Sequence, residues 1–99
     1  MLQIALMLLM RYIPPEARPQ YDEIIKSLAA TIREATEDQT KRAGHLNYVF
    51  TRLLLETYGR ELAYWQHYEI IGMLECCKEE FYRHRTGPFE EKWIEKCII

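Results

Sequence analysis

Residues 64–85, YWQHYEIIGMLECCKEEFYRHR, place apolar side chains on two sides of one predicted helix. At about 100° per residue, the two sets lie well apart around the helix axis. A chain of 99 residues buries only a small core, so we expect a second copy to cover one side. The first set is Ile70, Met73, Leu74, Cys77 and Phe81. The second set, here called the tyrosine stripe, is Tyr64, Tyr68, Ile71 and Tyr82, with Glu75 and Lys78 among them.

Three further helices are predicted from apolar residues at helical spacing. The first begins at Pro19, because proline is favoured in a first helical turn. The second begins near a capping residue, Thr40, and ends at Tyr58 before Gly59. The segment 86–88, Thr-Gly-Pro, is a predicted break before the last helix. The apolar faces are Tyr21, Ile24, Ile25, Leu28, Ile32 and Ala35, then Leu46, Val49, Phe50, Leu53, Leu54 and Thr57, then Phe89, Trp93, Ile94 and Cys97.

The whole sequence predicts an all-α fold, in which a small four-helix bundle with a long, two-sided third helix forms one domain over residues 10–99. Gly72, inside the third helix, predicts close approach by another backbone. Prolines before residue 20 predict an extended arm over Tyr12–Arg18. Residues 1–9 are a predicted apolar extension. They fall short of the ~20 residues that span a membrane and lack the flanks of a signal peptide.

Composition excludes several classes of function. The net charge of −2 supplies no basic field for duplex nucleic acid. Three cysteines, an odd number, do not form a disulfide framework, so a reducing cytoplasm is the predicted location. Cys76 and Cys77 point about 100° apart on a helix and cannot both bind one ion. We therefore predict no metal site and no cofactor.

The carboxylates offer one catalytic alternative. Glu75 and Glu79 are four residues apart on one helix, a spacing that holds Mg²⁺ in all-α nucleotide pyrophosphohydrolases. The later acidic motif of those enzymes is missing here, because the only aspartates are Asp22 and Asp38. A structural ion pair of Glu75 with Lys78, Arg52 or Arg83 is the favoured interpretation, and we assign no catalytic residues.

The best candidate ligand site is the basic segment that follows Tyr82. Tyrosine and arginine stack on bases and bind phosphates, so Tyr82, Arg83 and Arg85, with Glu75 and Lys78, are the candidate binding residues. The same residue types are enriched at protein interfaces. A dimer surface, with positive charge near the end of a helix, is therefore the competing interpretation.

The chain resembles a family of small uncharacterised proteins from bacteria and phages. The matching segments are MRYIPPE (10–16), AGHLNYVFTRL (43–53), IGMLECCKEEFYR (71–83) and PFEEK (88–92). Members of that family usually begin at the position of Met10 and end in a polar Asn-Gly-Asp tail, where this chain has Cys-Ile-Ile. The resemblance implies a compact helical fold and brings no established activity.

These observations predict a non-enzymatic cytoplasmic accessory protein that works as a homodimer or higher homo-oligomer. Tyr64, Tyr68, Ile71 and Tyr82 form its expected interface. A sharper version, suggested by the phage resemblance, is an oligomer that sequesters an anionic nucleotide-type ligand. The alternatives are a Mg²⁺-dependent nucleotide hydrolase built on Glu75 and Glu79, and a purely structural protein-protein interaction module.

Overall fold

The computed structural model describes residues 13–98, with side chains up to residue 94. This part of the chain is all-helical and contains no strand. Its three helices are α1 (Pro19–Ala35), α2 (Arg42–Tyr58) and α3, which runs from Tyr64 to Ile98. The all-α prediction is confirmed. The predicted extension at residues 1–9 lies outside the described residues, and the predicted apolar role of Cys97 lies outside the described side chains.

The prediction of four helices was wrong for the described residues, because no break separates the last two. Helical backbone continues through α3 as an α-helical part (Tyr64–Phe81), a π-helical segment (Tyr82–Thr86) and a second α-helical part (Gly87–Ile98). Pro88 has no amide hydrogen and its ring crowds the carbonyl four residues earlier. The helix accommodates this proline by widening: the Gly87 amide donates to the carbonyl of Tyr82, five residues back.

Contacts group the chain into two units, and one of them, Tyr12–Ala63, contains the hairpin of α1 and α2. Thr36 follows α1 and is the most deeply buried of the described side chains, at 1% exposure. Its hydroxyl donates to the carbonyl of Ile32 at 2.6 Å and accepts from Arg42 Nε at 3.0 Å. A second Arg42 nitrogen donates to the Thr36 carbonyl at 3.2 Å. Arg42 at the start of α2 thereby holds the end of α1.

The predicted helix ends are largely confirmed, with two corrections. Pro19 begins α1 and Gly59 follows α2 with φ +92°, a left-handed conformation that favours glycine. Thr40 is not the cap of α2. It lies inside a 3-10 turn, Gln39–Lys41, whose cap is Asp38, and the Asp38 carboxylate accepts from the Thr40 amide at 3.0 Å. The predicted extended arm also contains a 3-10 turn, at Pro15–Ala17.

Most of the predicted apolar faces remain exposed to solvent. On α1 only Ile32 is buried, whereas Ile24 and Ile25 are 67% and 59% exposed. On α3 only Ile70 is buried among the described side chains. A Cβ added at Gly72 would have nothing within 4 Å, so no described part of the chain makes the close approach predicted there. No described helix has the length and apolar character required to cross a bilayer.

The Thr36 contacts predict a stability difference between two threonine variants. We expect Thr36→Val to lower the free energy of unfolding by about 1–3 kcal/mol, because Arg42 loses an acceptor in a buried setting. Thr57→Val is the matched control, since the exposed Thr57 hydroxyl makes the same bond to a carbonyl four residues back, at 2.7 Å, with no arginine attached. Urea denaturation followed by circular dichroism measures both. Equal effects of the two substitutions would contradict the proposed role of Arg42.

Candidate functional site

The π-helical segment brings Tyr82 and Glu90 together. The Tyr82 hydroxyl donates to Glu90 Oε2 at 2.7 Å. In a regular α-helix, residues eight apart are offset by about 80° around the axis. The π turn holds one more residue than a regular turn, so Tyr82 and Glu90 are placed as residues seven apart would be in an α-helix. Their offset around the axis is then about 20°. The hydrogen bond therefore depends on the widened turn before Pro88.

An open groove of ≈ 350 Å³ lies beside this segment, entirely on α3. It is lined by Glu79, Tyr82, Arg83, Gly87, Pro88 and Glu91. Gly87 is suited to this position, because a Cβ there would lie 3.1 Å from the Tyr82 carbonyl oxygen. Two of the predicted ligand residues, Tyr82 and Arg83, thus lie together. Arg85 is exposed and does not line the groove.

The charges of the groove disfavour a polyanion. Two carboxylates, Glu79 and Glu91, line it with one guanidinium, Arg83. The pKa of Tyr82 is raised, chiefly because its neutral hydroxyl donates to the Glu90 carboxylate, whose charge also opposes ionisation; Glu79 adds a smaller effect. A phosphate in the groove would meet the same negative field. The nucleotide-type ligand remains a prediction.

Glu75 and Lys78 lie together on α3 but not in the groove. The Lys78 ammonium donates to Glu75 Oε1 at 3.1 Å, so Lys78 is the partner among the three candidates that the sequence left open. Arg52 instead binds Glu56 and Tyr48 on α2. Among the described residues, no three histidine, cysteine, aspartate or glutamate side chains are grouped to hold a metal ion. Glu75 and Glu79 as a Mg²⁺ pair remain a prediction.

The tyrosine stripe is exposed along the first part of α3. Tyr64, Tyr68, Ile71 and Tyr82 are 75%, 63%, 64% and 49% exposed. The rings of Tyr64 and Tyr68 pack edge to face with centroids 4.8 Å apart, and their hydroxyls share a hydrogen bond of 2.7 Å. That bond raises the pKa of Tyr64. The polar atoms of the stripe thus have partners on their own helix.

A family model described as a domain of unknown function (DUF6899) matches residues 10–97, which include all of α1 and α2 and nearly all of α3. The chain belongs to the DUF6899 family. This confirms the predicted membership of an uncharacterised family, whereas the particular motif pattern and a phage origin remain predictions. No curated protein and no solved structure matches the DUF6899 chain.

The sequence did not point to Glu90 or Glu91 as site residues of the DUF6899 protein. Both fall within the last helix that is predicted after the break at residues 86–88. The available signal was Pro88 preceded by Gly87 within a stretch of otherwise good helix formers. Such a pair is compatible with a widened turn as well as with a helix end, and only the widened turn brings Glu90 to Tyr82.

The Tyr82–Glu90 bond predicts an altered tyrosine titration. We expect Glu90→Gln to lower the pKa of Tyr82 towards the ordinary value of about 10, because the opposing charge is removed. Since the pKa is raised in the folded state, any stability from this bond is present below that ordinary value and is lost as pH rises through the folded pKa. Ultraviolet titration of the phenolate band measures the change.

Glu91→Gln is the matched control for that titration, because Glu91 lines the groove without bonding to the Tyr82 hydroxyl. Its titration should follow that of the wild type. Coincident curves for the wild type and Glu90→Gln would contradict the assigned hydrogen bond.

Proposed function

We propose that this DUF6899 protein is a non-catalytic interaction protein that works as a homo-oligomer, with copies meeting through the tyrosine stripe of α3. The observation that carries the proposal is the exposure of Tyr64, Tyr68, Ile71 and Tyr82, none of which falls below 49%. Large aromatic side chains bury 150–250 Å² each, at roughly 25 cal/mol per Å². Their removal from water is a strong driving force for association.

The polar atoms of the stripe support this proposal. Burying a polar group without a partner is costly, but here each polar side chain already has one on its own helix. Tyr64 bonds to Tyr68, Lys78 bonds to Glu75, and Tyr82 bonds to the nearby Glu90. A second copy can therefore cover the stripe without leaving these groups unpaired. Aromatic residues with satisfied polar tips are typical of the centres of interfaces.

The remaining parts of the proposal concern location and ligand. Cys76 and Cys77 are thiols that take part in no disulfide, which suits a reducing compartment such as the cytoplasm. A phage association rests on the sequence resemblance alone. Sequestration of a nucleotide-type ligand would use Tyr82 and Arg83, but the carboxylates of the groove weigh against it, so the interaction module is the favoured function.

Self-association predicts different outcomes for two isoleucine variants. We expect the wild-type chain to sediment as a dimer or larger species at micromolar concentration, and Ile71→Glu to sediment as a monomer, because a charge would enter the apolar contact. Ile25→Glu is the matched control, since Ile25 on α1 is exposed to a similar extent, 59% against 64%. Analytical ultracentrifugation measures both variants. A wild-type monomer, or equal effects of the two substitutions, would contradict the proposed interface.

A thermal-shift experiment separates the interaction module from the two ligand hypotheses. We expect ATP and GTP, with and without Mg²⁺, to leave the melting temperature unchanged, because Glu79 and Glu91 oppose a polyanion in the groove. A stabilisation by nucleotide alone that Arg83→Ala abolishes would favour sequestration. A stabilisation that requires Mg²⁺ and is lost in Glu75→Gln would favour the hydrolase.

A further inference from the structure

The tyrosine stripe has the spacing of a coiled-coil seam. Its members, Tyr64, Tyr68, Ile71, Glu75, Lys78 and Tyr82, are separated by alternating steps of four and three residues. This average of 3.5 residues keeps one face of an α-helix towards a neighbouring helix along its whole length. The seam ends at Tyr82, where the π-helical segment begins, so the regular spacing fills the first α-helical part of α3.

The two charged residues at the centre of the seam distinguish the possible directions of a second helix. In a parallel pair, Glu75 would lie opposite Glu75 of the second copy, and Lys78 opposite Lys78. Both layers would then hold like charges, which is unfavourable. In an antiparallel pair, a twofold axis between positions 76 and 77 reverses the order, and each glutamate lies opposite a lysine.

We propose that two copies associate through antiparallel α3 helices, with Glu75 of each copy opposite Lys78 of the second. This inference rests on the proposed homo-oligomer and specifies its geometry. The same axis brings Ile71 opposite Tyr82 of the second copy, so an apolar layer flanks the charged layers on each side. The partner is thus a second copy of this chain, selected by the complementarity of the seam residues from Ile71 to Tyr82 with their own reverse.

The ion pair within each helix is suited to this arrangement. Glu75 and Lys78 are 3.1 Å apart, and their side chains remain 60% and 70% exposed, so both can take further partners. An ammonium group has three donors and a carboxylate has two acceptor oxygens. Two such pairs meeting at a twofold axis form a closed network of four alternating charges. Such networks are stronger than isolated surface pairs.

Gly72 lies beside Ile71 on the edge of the seam. The position is exposed, and a Cβ there would have nothing within 4 Å, so the described residues do not explain a glycine inside this helix. Glycine in a helix interior costs about 1 kcal/mol relative to alanine. A second α3 close to this side would provide the reason, because the missing side chain allows the two backbones to approach.

Neutralising either central charge tests the direction of the helices. In the antiparallel arrangement, Glu75→Gln and Lys78→Gln each remove two attractive contacts per dimer, and we expect the dissociation constant to rise roughly tenfold. In a parallel arrangement the same variants remove a repulsive layer and tighten the dimer. Sedimentation equilibrium of the full chain measures the constants. Raised salt should weaken an antiparallel wild-type dimer and strengthen a parallel one.

Glu23→Gln and Lys26→Gln are the matched controls, because these residues form an equivalent exposed pair on α1, three residues apart at 3.6 Å. They should leave the constant unchanged. Tightening, or no change, in Glu75→Gln would overturn the antiparallel arrangement while leaving self-association intact. A wild-type chain that remains monomeric would instead overturn the proposed function itself.

Discussion

Removal of apolar surface from water is the dominant favourable term in protein folding. In the described part of this chain, few apolar side chains are buried. Ile32 on α1 and Ile70 on α3 are its buried apolar side chains. The remaining apolar residues of both helices have the spacing of packed faces but stay largely exposed. The exposed aromatic stripe of α3, with its paired polar atoms, is the observation from which we propose self-association.

A second constraint acts within α3, where Pro88 cannot donate a backbone hydrogen bond. The helix continues past it because the turn widens, and the Gly87 amide reaches the Tyr82 carbonyl. Gly87 is suited to this turn, since a Cβ would lie 3.1 Å from that carbonyl oxygen. The inserted residue also rotates the last part of the helix and brings Glu90 to Tyr82. The widened turn thus lies where the stripe ends and beside the groove.

Local rules predicted much of the fold. Pro19 and Gly59 mark the start of α1 and the end of α2 because their conformational preferences act within a single turn. The same rules were less reliable where a segment is compatible with two different local structures. Thr40 and Asp38 are both capping residues, and the structure uses Asp38 for a 3-10 turn that precedes α2. Pro88 is compatible with a helix end or a π turn, and the expected end did not form.

The sequence by itself determined the helical class, most helix boundaries and the grouping of the tyrosine stripe on one face, because helical periodicity places those side chains together. Only the folded chain decided which distant groups meet. Thr36 is bonded by Arg42, which lies on the other side of a loop and donates to its hydroxyl and its carbonyl. Glu90 reaches Tyr82 because the π turn between them holds one extra residue. Neither contact follows from periodicity, since each depends on how the chain passes a turn where the regular helical hydrogen-bond pattern is interrupted.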